Sequence, residues 1–566
     1  MIDDALRKAR QVIADRVLRQ WLLRMAVGLE ESPSGFVAGH PPYLTGEPEQ
    51  NSSPIVTDIR EAHFSAPAGN IRIQLPGLSV ELSPDDPSAL FGNSYADLET
   101  LLGAHRFAWV PMAGGNLNPD WVAFLWTCWA EGFGDNNSGW PWHAYTAAER
   151  AINIIDFARQ FGLPGEKDAT LALLAKHAGV IRGGLEYFGD HYTSNHLSNN
   201  GRGLLRIGTA LGLEDHARTG ATIMVAEAGR IFGRSGVLRE GSTHYHLLLT
   251  RNYIDAWLDA RAGGLDQADT LREIAERAIA AIPGLCLPGG VPLIGDISPD
   301  VSPSFLGYLT RDRRPEIWPE NLPADRRRAF DAMIKSVLPV SPDRLADDGW
   351  HRFGGYSWQA LAYVPPDGLP PIPGHGHQDM GSFELHEGET PVIIDPGRGS
   401  YADSLYEAAA VHNGVMIDGR GPVPVNRPYY DAAFRARVVG APPEMRRTRD
   451  GRILCNAGFG YSKSVKSVER EWYFNEKGAE ITDRLIGRGR RNIRRQFCIP
   501  HPVVIDGDTV IINAGTKSYR LSFGAGFSSK EIVCWRAYGQ GIPGNLIVSE
   551  SRVPLPCELR ATIERV

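Results

Sequence analysis

Hydrophobic and polar positions follow two different patterns along the chain, and the pattern changes near residue 345. From about residue 100 to 340, apolar residues recur at helical spacing in segments separated by Gly or Pro. After about residue 350, apolar and polar positions alternate in short runs that end at turn residues. These patterns predict a multidomain α and β protein, with an N-terminal region and helical domain over residues 1–345 and an antiparallel β-sandwich over residues 346–566.

The helical half is predicted to form a toroid or a solenoid-like array. In its clearest segment, Thr146 and Glu149 have the spacing of a capping box, and Gly162 and Pro164 end the helix. Several segments of similar length follow, with Gly or Pro between them. Repeated helix–loop–helix units of this size favour helices paired into a toroid.

The second half is predicted to be rich in short strands. Phe383 and Leu385 alternate with polar residues, and a β-branched run follows at 392–394. Turn pairs separate the later runs, at Asp450-Gly451, Lys477-Gly478 and Asp506-Gly507. Regular turns between many short strands favour an antiparallel sandwich. Before residue 95, the sequence indicates an amphipathic N-terminal helix and strands within residues 71–82.

The composition limits the possible partners. The 566 residues exceed one compact core, and the formal net charge of -7 provides no general attraction for a polyanion such as nucleic acid. An acidic ligand would therefore need a local site. No stretch of ~20 apolar residues could span a membrane. Charged residues interrupt the apolar N-terminus, which predicts a cytoplasmic protein, or a periplasmic one if a leader has been removed.

The six cysteines are spread along the chain and form no C-x-x-C pair. A thiolate zinc site and a disulfide scaffold are therefore disfavoured, and buried free thiols are expected.

Two clusters of polar residues within the helical half could carry chemistry. Residues 191–205 combine histidines, asparagines and Arg202, whose side chains could converge on a carboxylate. The alternative is a loop with an ordinary helix cap. Residues 239–253 contain His244, Tyr245 and His246 at the start of a helix. A tyrosine there could transfer a proton if its pKa were shifted, although Tyr and His also pack at helix starts.

A third cluster lies in the strand-rich half. His375 and His377 are two residues apart and would point to opposite faces of an extended segment. Asp395 and His412 follow at the ends of later strand-like runs. Two histidines and one carboxylate from neighbouring strands would suit a tetrahedral zinc site with water or a further ligand. The alternative is three unrelated polar residues near strand ends.

Together these clusters resemble the heparinase II/III-like superfamily of polysaccharide lyases, which includes alginate and heparin or heparan lyases. The resemblance rests on H-G-H-x-D, S-F-E-L, V-x-x-D-P-G and H-N in the third cluster, and on N-H and E-x-S-x-x-Y-H before it. Further landmarks lie at residues 105–111 and 142–153. The family fold is an incomplete α/α toroid followed by an antiparallel β-sandwich.

The resemblance implies roles for individual residues. Asn195 and His196 match residues that bind and neutralise a uronate carboxylate, Tyr245 matches the catalytic tyrosine, and His375 matches a histidine that faces the active site. His377, Asp395 and His412 match the ligands of a structural zinc ion.

The second catalytic tyrosine is either Tyr401 or Tyr406, and Tyr401 is preferred. His375 and Tyr245 itself are further candidates for the catalytic base. Before His412, LYEAAAV replaces the family's arginine-bearing stretch, which leaves the substrate class open.

The sequence therefore predicts a lyase that breaks a uronic-acid-containing polysaccharide or oligosaccharide by β-elimination. Arg202, His246 and Trp142 are predicted to contact the substrate. One alternative is a glycoside hydrolase on a similar toroid, for which Glu240 and Asp296 are the carboxylates to consider. Another is a non-catalytic protein that binds or assembles polysaccharides.

Overall fold

The computed structural model describes most of the chain. It covers residues 16–29, 38–45, 59–190, 193–310, 318–372, 374–425, 432–439, 442–460, 462–524 and 526–566, together with Ala9, Val12 and Ile13.

Helices dominate the first part of the chain. In order they are α1 Arg16–Ala26, α2 Ala89–Gly92, α3 Leu98–Arg106, α4 Trp109–Met112, α5 Pro119–Phe133, α6 Ala144–Phe161, α7 Lys167–Gly183, α8 His196–Leu211, α9 Glu214–Ile231, α10 Thr243–Ala262, α11 Ala268–Leu285, α12 Ala324–Ser336 and α13 Pro342–Asp347. A later helix, α14, spans Ala432–Val439.

The inner helices of the toroid are buried almost all round. Every residue of α10 from Thr243 to Ala260 is buried, and its start is capped because Ser242 Oγ accepts a hydrogen bond from the Tyr245 amide. Helix α8 packs closely on α9, since a Cβ at Gly208 would lie 2.3 Å from the Ala217 nitrogen. Small residues at this contact let the two backbones approach. The predicted helical toroid is confirmed.

The start of α6 differs from the sequence prediction. His143 is the N-cap, so Thr146 lies inside the helix and does not open a capping box. Glu149 instead forms a buried ion pair with Arg202 at 2.9 Å. Gly162 does end the helix, with a φ of 107° that favours glycine.

Antiparallel strands form most of the second part. A hairpin of β1 Ile71–Leu75 and β2 Leu78–Leu82 precedes the toroid, as predicted. The sandwich strands are β3 Trp350–Gly355, β4 Trp358–Tyr363, β5 Glu384–Glu387, β6 Thr390–Ile393, β7 Val415–Ile417, β8 Met445–Arg447, β9 Ile453–Asn456, β10 Val465–Phe474, β11 Gly478–Gly487, β12 Arg490–Ile499, β13 Val503–Asp506, β14 Thr509–Ala514, β15 Lys517–Ser522, β16 Phe527–Ala537, β17 Gln540–Pro554 and β18 Cys557–Arg565.

The strands form three sheets around a common apolar core. Their orders are β13-β14-β15-β18-β11-β10-β9-β8, β16-β17-β12-β7 and β3-β4-β5-β6. Buried aromatic residues from all three sheets meet in the core, including Phe383, Trp472 and Phe497. The three turn pairs predicted from the sequence each join adjacent antiparallel strands.

The toroid and the sandwich are joined by backbone hydrogen bonds near residue 296. Asp296 donates its amide to the carbonyl of His375 at 2.9 Å, and Ile297 donates to the carbonyl of Arg398 at the same distance. These bonds fix a loop of the helical part against two loops of the sandwich. Within the described residues, no helix is long and apolar enough to cross a membrane, and all six cysteines are free.

Candidate active site

The toroid contributes Asn195 and His196 at the start of α8. His196 Nδ1 lies 2.7 Å from Glu186 Oε1, and Asn200 donates to the other oxygen of that carboxylate at 3.1 Å. Burial lowers the pKa of His196, but the charge and hydrogen bond of Glu186 outweigh it and raise that pKa above the usual value. His196 is thus prepared to carry a positive charge, while 42% of its side chain stays exposed.

Asn195 is buried and has an unused polar atom. Its residue exposure is 3%, and its side-chain Oδ1 has no hydrogen-bond partner among the described residues. Its backbone amide faces the fully buried carboxyl group of Glu240, whose pKa is raised by burial. A buried amide oxygen that accepts no hydrogen bond is costly unless a donor from a ligand or water reaches it, so this position suits a ligand with a hydroxyl group; only the Nδ2 group of the same side chain can donate to a carboxylate.

Two tyrosines meet across the boundary between toroid and sandwich. The hydroxyl oxygens of Tyr245 and Tyr401 are 2.6 Å apart, and either one can be the donor. The ring of His375 stacks on Tyr245 with centroids 3.4 Å apart and planes at 12°. Burial raises the pKa of both phenols well above the usual value. Both phenols are therefore protonated at neutral pH.

Tyr401 is held in place from several sides. Its amide donates to the Tyr538 hydroxyl at 3.0 Å, and Tyr538 donates to Asp97 at 2.8 Å. The guanidinium of Arg398 lies 5.1 Å from the centre of the Tyr401 ring. Tyr406, the other candidate, instead accepts a hydrogen bond from the Val533 amide at 3.1 Å. Of the two tyrosines, Tyr401 is the one beside Tyr245.

Asp296 connects the two histidines of the H-G-H motif. One carboxylate oxygen lies 3.2 Å from His375 Nδ1, and the other lies 2.9 Å from His377 Nε2 and 3.3 Å from Arg398 Nη1. Burial alone would raise the pKa of Asp296. The hydrogen bonds and charges of these donors have the larger, opposite effect, so the pKa lies well below its usual range. The expectation of opposite faces is wrong because residues 374–378 are not extended strand; both rings reach one carboxylate.

His377 also belongs to a buried cluster with Asp395 and His412, whose potential ligand atoms lie within 4.8 Å of one another. His377 Nδ1 is buried without a hydrogen-bond partner among the described residues. His412 Nε2 donates to the carbonyl of Tyr406 at 3.0 Å, while its Nδ1 lies 2.8 Å from Asp395. In metal centres, histidine ligands typically donate their other ring N–H to a carboxylate or carbonyl, so these residues fit a zinc ion.

A second layer of buried charge supports the toroid side of the cleft. Asp300 accepts hydrogen bonds from Tyr145 and from Arg106, each at 2.7 Å. Arg106 also contacts Glu99 at 3.1 Å, and Tyr145 packs against the His196 ring. Arg106 and Tyr145 lie in the sequence landmarks at 105–111 and 142–153, whereas Glu99 and Asp300 lie in none of the sequence clusters or landmarks.

Three residues that were predicted to contact substrate lie in the interior. The guanidinium of Arg202 has no exposed surface and is paired with Glu149 and Asp255. His246 accepts from the Leu238 amide and donates to the Ala278 carbonyl. Trp142 is 3% exposed and donates its indole N–H to the Phe133 carbonyl at 2.8 Å. This burial argues against contact with substrate, and we leave these three residues out of the site.

Some parts of the site had weak or missing sequence signals. The sequence points to Asp296 only as a carboxylate for a hydrolase, and to Glu240 only in that role and as the first residue of E-x-S-x-x-Y-H; both contact His375, at 3.2 and 3.3 Å. Arg398 follows the V-x-x-D-P-G motif directly and could have been found there. His191 and Tyr192 of the first polar cluster lie outside the described residues.

Comparison with known proteins gives one family and a set of similar folds. Residues 339–551 match the family described as "Heparinase II/III-like, C-terminal". A heparan sulfate lyase mutant from Pedobacter heparinus is similar with a TM-score of 0.53 and 15% identity, over 84% of this chain and 78% of that chain. The structure of heparinase III gives a TM-score of 0.59 and 15% identity, over 83% and 76%. No curated protein sequence matches.

Proposed function

We propose that this chain, whose residues 339–551 form a heparinase II/III-like C-terminal domain, is a polysaccharide lyase that cleaves a uronic-acid-containing polymer or oligosaccharide by β-elimination. The observation that carries the proposal is the pair of phenols, Tyr245 from the toroid and Tyr401 from the sandwich, with hydroxyls 2.6 Å apart. Elimination needs one group to remove a proton and another to supply one, and two adjacent hydroxyls can provide both.

The C5 proton of a uronate is weakly acidic, so the site must stabilise the anion that forms when this proton is removed. Removal of this proton beside an ionised carboxylate places a second negative charge on the same group. The Asn195 side chain and the His196 imidazolium are the groups we assign to that carboxylate. Donors aimed at developing charge are each worth ~3–4 kcal/mol in a transition state. Glu186 supports this role because its charge and hydrogen bond raise the pKa of His196 and so favour the imidazolium.

Proton transfer then falls to the two tyrosines. We assign Tyr401 as the base, because the permanent charge of Arg398 lies 5.1 Å from its ring centre and favours the phenolate. The phenolate takes the C5 proton, the C4–C5 double bond forms, and the bond from C4 to the leaving oxygen breaks. Tyr245 gives its proton to that oxygen. His375 positions Tyr245 through ring stacking and is itself held between Asp296 and Glu240.

A zinc ion held by His377, Asp395 and His412 would supply a structural crosslink and no reacting group. The fit of the donor set supports this proposal, in particular the buried unpartnered Nδ1 of His377. Because His377 also contacts Asp296, such a crosslink would fix the loop that carries His375.

The hydrogen-bond donors in the cleft support an acidic sugar as the substrate. The heparan sulfate lyase named above acts, by its name, on an acidic polysaccharide, and a uronate would suit the donors at Asn195 and His196. Trp140 is 47% exposed, and its ring centre lies 5.7 Å from that of His143, whose Nε2 is 3.6 Å from Glu186. Trp140 can therefore offer an aromatic face to a sugar.

The geometry weighs against a glycoside hydrolase. That reaction needs two carboxyl groups facing each other across the sugar, ~5 Å or ~6.5–9.5 Å apart with space between them. Glu240 and Asp296 instead contact opposite nitrogens of one imidazole, that of His375. Asp296 is also held ionised by three donors, which leaves it no proton to give.

The test is a screen of uronate-containing polymers and oligosaccharides with ultraviolet detection. A lyase product has a double bond conjugated to its carboxylate and absorbs, whereas a hydrolase product has a new reducing end without that absorbance. We expect at least one acidic substrate to give the absorbing product with the wild-type protein and none with Tyr245→Phe. New reducing ends without absorbance would contradict the proposal. Binding of the acidic panel without cleavage would also contradict it.

A further inference from the structure

A cavity of about 310 Å³ lies inside the toroid, away from the cleft. Helices α8 and α10 carry His196 and Tyr245 in their first turns, beside the cleft. Further along the same helices, Arg206 and Arg251 line the cavity. At 1.5 Å per residue these arginines lie about 15 and 9 Å along the helix axes from those two residues. None of the proposed catalytic residues lines this cavity, so it is a separate feature.

The wall of the cavity is unusually rich in buried arginine. Four helices contribute Arg159, Arg206, Arg251 and Arg326, whose side chains are 6, 3, 4 and 7% exposed. The lining carboxylates are Asp156, which is 41% exposed, and Glu320, which is 59% exposed. Exposed carboxylates are screened by water and neutralise a buried cation poorly.

The ion pairs behind the cavity are shared and not formed one to one. Arg202 joins the four arginines of the wall, which gives five guanidinium groups. Their carboxylate partners include Glu149, Asp156, Asp255 and Asp259. Glu320, the other lining carboxylate, pairs at 3.1 Å with Arg327, an arginine outside the wall.

The arginines also show the electrostatic effect of this crowding. Burial, together with the neighbouring charges of Arg326 and Arg206, lowers the pKa of Arg159 to about 10. Burial and the charge of Arg202 lower the pKa of Arg251 as well. With a pKa of about 10, Arg159 still carries its charge at neutral pH. Buried guanidinium groups that share carboxylates repel one another, and an anion in the cavity would reduce that repulsion.

We infer that this cavity binds one small oxyanion of the phosphate or sulfate type, independently of the catalytic cleft. Guanidinium groups present paired N–H donors that match the oxygens of such anions. The volume exceeds that of a single ion, and the rim formed by Arg60, Gln160 and Asn321 leaves space for an attached small group. Inorganic phosphate and a sulfated or phosphorylated monosaccharide share this chemistry.

The experiment measures the thermal unfolding midpoint of the full-length protein as phosphate replaces chloride at constant ionic strength. We expect a rise for wild type that grows with the logarithm of the phosphate concentration above Kd, since a ligand that binds only the folded state stabilises it by RT ln(1 + [L]/Kd). Arg159→Gln removes one of the four buried cations of the wall, so it should lose most of this rise. Arg261→Gln alters an exposed arginine at the end of α10, outside the cavity, and should keep the rise.

A second variant covers the case in which Arg159→Gln fails to fold. Gln160→Glu adds a carboxylate at the exposed rim without a change in size, and it should weaken phosphate binding several-fold by repulsion. N-acetylglucosamine 6-sulfate, titrated in the same way, distinguishes the two sources of the anion. Phosphate stabilises most proteins to some degree, so equal responses in wild type and both variants would overturn the inference. Any lyase turnover should be the same in Gln160→Glu as in wild type, which separates this result from a failure of the proposed function.

Discussion

The two walls of the cleft are built in different ways. On the toroid side, Asn195, His196 and Tyr245 stand at the starts of helices α8 and α10, which are buried and supported by ion pairs. On the sandwich side, His375 and Tyr401 lie on loops between strands. The toroid side is therefore rigid through its helices, whereas the sandwich side depends on a few specific links.

Those links can be named. Asn413 is fully buried, donates to the carbonyls of Phe383 and Ile394 at 2.8 Å each, and accepts from the Cys498 amide. Asp296 reaches from the toroid to His375, and the cluster around His377 completes the set. The comparison teaches that substitutions in the helical wall should affect chemistry or folding directly, whereas substitutions in these links should affect the placement of the loop residues.

The largest effect is expected at the tyrosine pair. Tyr245→Phe should lower kcat on a polymer by about 10³-fold without a change in fold, because the leaving oxygen loses its proton donor. A uronate with an aryl ether at O4, whose aryloxide leaves without needing a proton, should recover most of the rate with Tyr245→Phe and little with Tyr401→Phe. The reverse pattern would exchange the acid and base assignments. Full activity of Tyr245→Phe on the polymer would remove it from the mechanism.

The pH dependence should show which form of the phenols is needed. Because burial raises the pKa of Tyr401 well above its usual value, the phenolate is the minor form at neutral pH. The rate should therefore rise by about tenfold per pH unit while His196 keeps its proton, and it should level off above the pKa of His196, because loss of the imidazolium then offsets the gain in phenolate. A profile of kcat/KM from pH 6 to 10 checks this. A rate that falls steadily across this range would exclude a tyrosine base.

A smaller effect is expected at Asp296, the link between the walls. Asp296→Asn keeps the size of the side chain but removes the charge that holds His375, His377 and Arg398. We expect kcat to fall by about 10²-fold with KM changed by less than about threefold. Asp331→Asn, which is remote from the cleft, serves as the matched control. Unchanged kcat in Asp296→Asn would show that His375 is positioned by other contacts.

The smallest kinetic effect should come from the metal cluster. His377→Ala should abolish zinc binding, lower the unfolding midpoint and reduce kcat by about 10- to 100-fold, in the range seen when the surroundings of a metal site are altered. Metal analysis and thermal unfolding measure the first two quantities. His351→Ala, a histidine of β3 outside the cluster, is the control. Absence of zinc from the purified wild-type protein would refute the metal site itself.

The sequence predicted the broad architecture because periodicity reports which face of each helix or strand is buried. The family resemblance also named Tyr245, Tyr401 and His375 as site residues, and the structure brings these three together. It did not predict Asp296 as the link between His375 and His377, since that contact joins segments about 80 residues apart. Arg202 and His246 illustrate the converse case: polar residues beside a motif can be buried members of ion pairs and hydrogen bonds.

The most direct test of elimination itself is to digest an acidic oligosaccharide of known mass and to weigh both products. Elimination breaks the bond between C4 and the leaving oxygen without the entry of water, so the masses of the two products should add up to the mass of the substrate. One product should also carry the conjugated double bond. A sum that exceeds the substrate by one water per cleavage would mean hydrolysis and would contradict the account.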